Sequence, residues 1–177
     1  MDQSFRGVVD ENWLRAVVEK ALCVALPGVE ACQVSLAVTG DETVRSLNRD
    51  YRGLDEVTDV LSFSPSHSGH WEGETEPPEV ENIETVDPGR PVFVYPPGEA
   101  APLGEVVIAY PQSQRQALQR GVPLDQELAL LIVHGVLHLA GHDHLEPLEQ
   151  TEMQERERAA LERLPRATIA QNRMLDK

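Results

Sequence analysis

Four of the six histidines in this 177-residue chain lie within one eleven-residue stretch that begins at His134. Together with Gly141, three of them follow the spacing H-x-x-x-H-x-x-G-x-x-H, at His134, His138 and His144. Residues four apart share one face of an α-helix, so the first two can bind the same ion. Gly141 can adopt a positive φ, end the helix and direct His144 back as a third ligand. Three imidazoles around an open fourth position are typical of catalytic zinc, so the pattern predicts one zinc ion per chain.

The residues beside the histidines restrict the chemistry. Metzincin proteases share this spacing, but the glutamate that serves as their general base is Gly135 here. Peptide hydrolysis needs a positioned carboxylate to move a proton, so the pattern argues against a protease and leaves hydrolysis by a different proton route open. Asp143 is predicted either to orient a histidine or to stabilise the turn.

The elements that must position these histidines can be predicted from apolar periodicity and turn residues. Helical spacing predicts helices over residues 10–26, 41–49, 111–121, 123–139 and 147–164. Apolar runs predict strands over residues 29–39, 60–63 and 103–109. The predicted fold class is therefore α+β: a small mixed sheet of three to four strands packs with about five helices, and the three-histidine metal site lies on a central helix.

Residues 64–102 differ in composition from the rest of the chain. The segment is rich in proline and holds eight acidic residues against one arginine. We expect a long surface insertion, with Val92–Tyr95 as its one strand-like stretch, in an otherwise single domain that spans residues 1–177. Because the segment lies between Phe63 and Leu103, it could crowd or gate the site.

Charge and cysteine content restrict the partners and the compartment. The net charge of −15 argues at face value against a nucleic-acid partner, although residues 64–102 carry −7 of it (eight acids, one arginine). No apolar run approaches the roughly 20 residues of a membrane span, and no signal segment is recognisable, so a cytoplasmic location without membrane contact is expected. Cys23 and Cys32 are predicted to be small buried thiols, with a disulfide between them as the open alternative. Oligomeric state is not predicted.

Three stretches, in order, resemble the YbeY endoribonucleases, a family of ribosomal RNA maturation factors. Residues 134–144 match the pattern H-G-x-L-H-L-x-G-(Y or H)-D-H at every defined position. The pattern L-N-x-x-(Y or F)-R-x-x-D-x-P-T-D-V-L-S-F-P is matched by Leu47, Asn48, Tyr51, Arg52, Asp55 and Thr58 to Phe63. The pattern L-G-D-(I or V)-x-I is matched by Leu103, Gly104, Val106 and Ile108. The chain departs from family residues at Val57, Ser64, Glu105 and Ala109, none of which is a predicted metal ligand.

The resemblance implies a zinc-dependent, single-strand-specific endoribonuclease. It would act on ribosomal RNA of the small subunit, including maturation of the 16S rRNA 3′ end, and in ribosome quality control. The three histidines would be the zinc ligands, and Arg52 would be the catalytic arginine. A guanidinium can hold a scissile phosphate with paired hydrogen bonds and stabilise developing charge. A structural salt bridge from Arg52 to Asp55 or Asp59 is the alternative, and the attacking group, water or the RNA 2′-OH, stays open.

Two other functions compete with this one. A metalloprotease would still cleave peptides after loss of Arg52, and Gly135 argues against it. A non-catalytic ribosome-assembly factor would use zinc only to stabilise its fold. The acidic composition favours this second alternative, because attraction to RNA phosphates would depend on a local basic patch formed by Arg45, Arg49 and Arg52.

Overall fold

The computed structural model describes residues 8–29, 32–65, 100–142, 147–162, 164–167 and 169. The described part of the chain contains five helices and three strands in the predicted order. These are α1 (Glu11–Ala25), β1 (Cys32–Thr39), α2 (Asp41–Arg52), β2 (Val60–Phe63), β3 (Ala101–Ala109), α3 (Tyr110–Arg120), α4 (Leu124–Leu139) and α5 (Pro147–Leu161). The predicted α+β class is therefore confirmed.

The three strands form one mixed sheet in the order β1-β3-β2. Strand β3 pairs parallel with β1 and antiparallel with β2, so it is the central strand. Its residues Val106 to Ala109 are at most 5% exposed. A strand covered on both faces needs apolar side chains on both, which explains its continuous apolar sequence.

Helices cover both faces of this sheet, and the sheet separates two apolar cores. Val106 and Ile108 point into the larger core, which is shared with α1, α4 and α5. Val107 and Ala109 point to the other face, where they pack with Val44 of α2. Helix α4 lies at the centre, since it contacts α1, α3, α5, β2 and β3. This position explains why α4 is apolar on nearly every side.

Gly104 allows the backbones of β2 and β3 to approach closely. Its φ is +144°, and a Cβ atom placed on it would collide with the carbonyl oxygen of Phe63. The pairing register of β3 with β1 also shifts here: Gln33 pairs with Pro102 and Val34 with Gly104, so that Leu103 is an extra residue. Only glycine fits both the backbone conformation and the space at this position.

Several local predictions need correction. Helix α2 begins after Gly40, which provides no side-chain cap, and the helix extends three residues beyond the predicted end to Arg52. Cys23 is exposed, so the prediction of a buried thiol is wrong for that residue. Cys32 is partly buried. Burial raises the pKa of its thiol, and electrostatic repulsion from Cys23 makes a smaller contribution in the same direction. Both cysteines are free.

Most of the predicted insertion, residues 66–99 with the strand-like stretch 92–95, lies outside the described residues. Among the helices that are described, none is by itself long and apolar enough to span a membrane. Only α3 and α4 taken together meet the length and composition requirement, and their axes are bent by 118°.

Candidate active site

Two buried acidic residues anchor the start of α4, the helix that carries the histidine motif. The carboxylate of Glu127 is 1% exposed and accepts hydrogen bonds of 2.9 and 3.1 Å from Nη1 of Arg120. Asp125 accepts a 2.9 Å hydrogen bond from Nη1 of Arg166. Negative charge in the first turn also interacts favourably with the helix dipole. The helix is therefore fixed at the end opposite its histidines.

The other end of α4 is followed by the predicted turn at Gly141. This residue has a φ of +83°, and its N–H donates to the carbonyl of His138 at 3.0 Å. The N–H of His142 donates to the carbonyl of Leu137 at 3.0 Å, which completes a Schellman motif. His142 also has its Nε2 atom 3.2 Å from the carbonyl oxygen of Ala25 in α1. The predicted residues Asp143 and His144 lie outside the described residues.

Helix α4 brings His134 and His138 together as their spacing predicts. Their Nε2 atoms are 3.1 Å apart. Two nitrogens bound tetrahedrally to one zinc ion at about 2.0–2.1 Å lie roughly 3.3 Å apart, so this separation fits a shared ion. No group of three or more metal-binding side chains occurs among the described residues, and His144, the predicted third ligand, is beyond them. The three-histidine site itself therefore stays a prediction.

Glu157 of α5 is a site residue that the sequence reasoning missed. Its Oε1 atom lies 2.9 Å from Nδ1 of His134, the ring nitrogen that faces away from His138. A signal was present in the sequence: Met153, Glu157 and Ala160 share one helix face, and the two apolar members are buried. An acidic residue on an apolar face indicates a specific partner.

Strand β2 packs directly on the turn of α4 between the two histidines. The hydroxyl of Ser62 donates to the carbonyl of Gly135 at 3.1 Å. A Cβ atom on Gly135 would lie 2.7 Å from Cγ1 of Val106. A glutamate, the base of the metzincins, has no room at this position. The geometry therefore agrees with the sequence argument against a protease.

Arg52 is the last residue of α2 and is half-buried. The loop that follows it is held by polar contacts. The buried side chain of Asn48 donates to the carbonyl of Glu56 at 3.0 Å, and Oδ1 of Asp59 accepts from the N–H of Val60 at 2.8 Å. This loop leads into β2, so the end of α2 and the histidine helix are connected through one short strand.

Acidic side chains pair with the other two arginines of the predicted basic patch. Arg45 donates to both carboxylate oxygens of Asp55, at 2.9 and 3.0 Å. This hydrogen bond holds the pKa of Asp55 below its usual value and raises the pKa of Arg45. Arg49 lies 3.1 Å from Asp50. The α2 face is therefore less basic than its arginine spacing alone suggests.

An aromatic pair lies at the same end of α2. Tyr51 is 60% exposed, whereas Phe63 is partly buried. The two rings contact each other edge to face, with 4.9 Å between their centres. Phe63 supports the tyrosine from β2, and Tyr51 stays largely exposed to solvent. An exposed, supported aromatic ring can stack with a planar ligand group.

A family model and curated relatives identify the same family. A family model described as Endoribonuclease YbeY matches residues 2–165. A protein named Endoribonuclease YbeY from Dehalococcoides mccartyi is 36% identical over 160 residues, which cover 90% of this chain and 91% of that protein. Another of the same name, from Desulforamulus reducens, is 38% identical over 159 residues, with 88% and 89% covered. A solution structure of a Thermotoga maritima protein is similar over 84% of this chain and 81% of its own, at 20% identity and a TM-score of 0.47.

Proposed function

The chain belongs to the YbeY endoribonuclease family, and from this membership we propose that it is a zinc-dependent endoribonuclease that cleaves single-stranded RNA. The observation that carries the proposal is the 3.1 Å approach of two histidine Nε2 atoms on the helix that bears the family motif. We further propose that it acts in the cytoplasm on RNA of the small ribosomal subunit, including the 3′ end of 16S rRNA, and in ribosome quality control. These finer assignments are supported by the three motifs that the chain shares with the family.

Three histidines would hold one zinc ion per chain. The pair formed by His134 and His138 fits a shared ion, and His144 follows the Gly141 turn by three residues. Neutral imidazoles suit zinc as ligands, and three of them leave a coordination position open. Bound zinc would act as a Lewis acid and stabilise negative charge that develops on the scissile phosphate.

Arg52 is proposed to bind that phosphate. Its guanidinium can donate two parallel hydrogen bonds to phosphate oxygens, which fixes the phosphate and offsets charge in the transition state. A structural salt bridge from Arg52 to Asp55 or Asp59 stays the alternative role.

The second candidate is a ribosome-assembly factor in which zinc only stabilises the fold. The acidic character of the chain favours it. Two arginines of the predicted basic patch are paired with carboxylates, and the net charge is −15. RNA contact would then depend on ribosomal protein surfaces rather than on phosphate attraction.

One experiment separates the two candidates. Zinc-loaded wild type, His138→Ala, Arg52→Ala and Arg115→Ala are incubated with a single-stranded RNA that carries the 16S 3′-end sequence and with its duplex. We expect the wild type and the remote control Arg115→Ala to cut only the single strand. Loss of Arg52 should lower kcat/KM by about 10²–10³ at unchanged zinc content, and loss of His138 should remove both zinc and cleavage.

Two results would contradict the nuclease proposal. Equal cleavage by all four proteins would identify a contaminating ribonuclease. No cleavage by fully zinc-loaded wild type, combined with a lower melting temperature for His138→Ala, would favour the assembly factor.

A further inference from the structure

The face of α5 that packs against the protein interior carries one carboxylate. Met153 and Ala160 on this face are 3% and 0% exposed. Glu157 lies between them at helical spacing, and its side chain is only 17% exposed. Removing a carboxylate from water is costly unless a donor satisfies it. A glutamate at this position therefore needs a specific partner.

That partner is the first histidine of the motif. Oε1 of Glu157 lies 2.9 Å from Nδ1 of His134. An ionised carboxylate can only accept hydrogen bonds, so Nδ1 of His134 carries the proton in this contact. In the neutral ring, Nε2 then holds the lone pair. This atom is the one that lies 3.1 Å from Nε2 of His138.

We propose that Glu157 is a positioning residue for the metal site. It holds His134 in the Nδ1–H tautomer, with the Nε2 lone pair directed to the zinc position. The inference rests on the proposed function, because it needs His134 to be a zinc ligand. A carboxylate that accepts a hydrogen bond from a ligating histidine also fixes the orientation of its ring. Such partners of ligating histidines typically change metal affinity by about 10–100-fold.

A purely structural salt bridge between the two residues is the alternative. It would change thermal stability when Glu157 is replaced, but it would not change the tautomer of a neutral ring or the affinity for zinc. Zinc affinity and tautomer state therefore test the inference, and the melting temperature does not.

The first measurement is zinc binding to the full chain by chelator competition. The variants are Glu157→Ala, Glu157→Gln and the matched control Glu155→Ala, which removes an exposed glutamate from the same helix. We expect Glu157→Ala to bind zinc about 10–100-fold more weakly than wild type. Glu157→Gln keeps an acceptor oxygen and should recover part of the loss, while the control should bind as wild type does.

The second measurement is the ¹⁵N chemical shift of the imidazole nitrogens in the metal-free protein at about pH 8.5, about two pH units above the ordinary pKa of a histidine side chain. Wild-type His134 should show a protonated Nδ1, and Glu157→Ala should lose this preference. If Glu157→Ala does not fold, Glu157→Met, which fills the space without an acceptor oxygen, supplies both readouts.

The outcomes distinguish this inference from the proposed function. Wild type that fails to bind zinc would overturn the proposed metal site and this inference with it. Tight zinc binding by wild type together with wild-type affinity in Glu157→Ala, or an unchanged His134 tautomer in Glu157→Ala, would overturn the role of Glu157 alone.

Discussion

Gly135 is the residue at which packing and helix propensity oppose each other. Alanine would favour the helix by about 1 kcal/mol. Its Cβ, however, would lie 2.7 Å from Cγ1 of Val106 and 3.1 Å from Oγ of Ser62. Overpacking of this kind costs about 1–3 kcal/mol, so we expect Gly135→Ala to lose up to about 2 kcal/mol of unfolding free energy in urea titrations.

The steric cause can be checked by a double-mutant cycle. The Val106→Ala variant has more space beside Gly135. In that background, Gly135→Ala should cost little unfolding free energy or should stabilise the protein. An equal loss in both backgrounds would show that crowding against Val106 is not the reason for the glycine.

Tyr51 is the residue whose exposed ring suits an unpaired base. Its ring is supported by the edge-to-face contact with Phe63. Stacking of one base on an aromatic side chain is worth about 1–3 kcal/mol. We therefore expect Tyr51→Ala to weaken single-stranded RNA binding about 5–150-fold in fluorescence anisotropy, while Tyr51→Phe stays close to wild type. Equal affinity of all three proteins would contradict a stacking role.

Among the secondary-structure elements, α4 depends on its connection to α3 through Arg120 and Glu127. Truncation of the arginine leaves a carboxylate that is 1% exposed without its cationic partner. Breaking a fully buried pair costs about 3–5 kcal/mol. Because Arg120 is itself half-exposed, we expect Arg120→Ala to cost less, about 2–3 kcal/mol, in chemical denaturation.

Arg115→Ala is the matched control for this prediction. Arg115 lies on the same helix and contacts Asp41 at 2.7 Å, but both side chains are considerably exposed. Exposed pairs contribute about 0–1 kcal/mol. Similar losses in the two variants would mean that burial of Glu127 does not determine the cost.

The elements also show which parts of the site can be predicted from sequence. The contact of His134 with His138 and the turn at Gly141 are local, since both follow from helical spacing and from the backbone freedom of glycine. The contact of His134 with Glu157 joins two helices, and its register depends on how α5 packs. Glutamates and arginines are frequent on α5, and Glu157 differs from the other glutamates only because it lies on the apolar face of the helix.

For the molecule as a whole, the element order, the α+β class and the central position of β3 follow from the apolar pattern, whereas the direction and register of strand pairing do not. Strand β3 lies between β1 and β2, and its residues are apolar on both faces, a property that identifies a central strand. Its parallel pairing with β1 and antiparallel pairing with β2 are determined by tertiary contacts, such as the hydrogen bond from the N–H of Ala109 to the carbonyl of Asp59. Single-sequence patterns do not contain this information.

The charge of the whole molecule opposes its proposed substrate, and the acidic segment contributes much of it. Replacing the eight acidic residues between 72 and 99 by their amides changes the net charge from −15 to −7. Less repulsion of RNA should raise kcat/KM by about tenfold at low ionic strength. The gain should disappear near 1 M salt, where the screening length is about 3 Å.

The control for this prediction exchanges Glu and Asp at the same eight positions and so keeps the charge. It should cleave RNA at the wild-type rate at every salt concentration. A gain in the amide variant that persists at high salt would contradict long-range repulsion and would indicate that these side chains obstruct the RNA by direct contact. A gain confined to low salt would show that the segment lowers the rate of encounter with RNA through its charge.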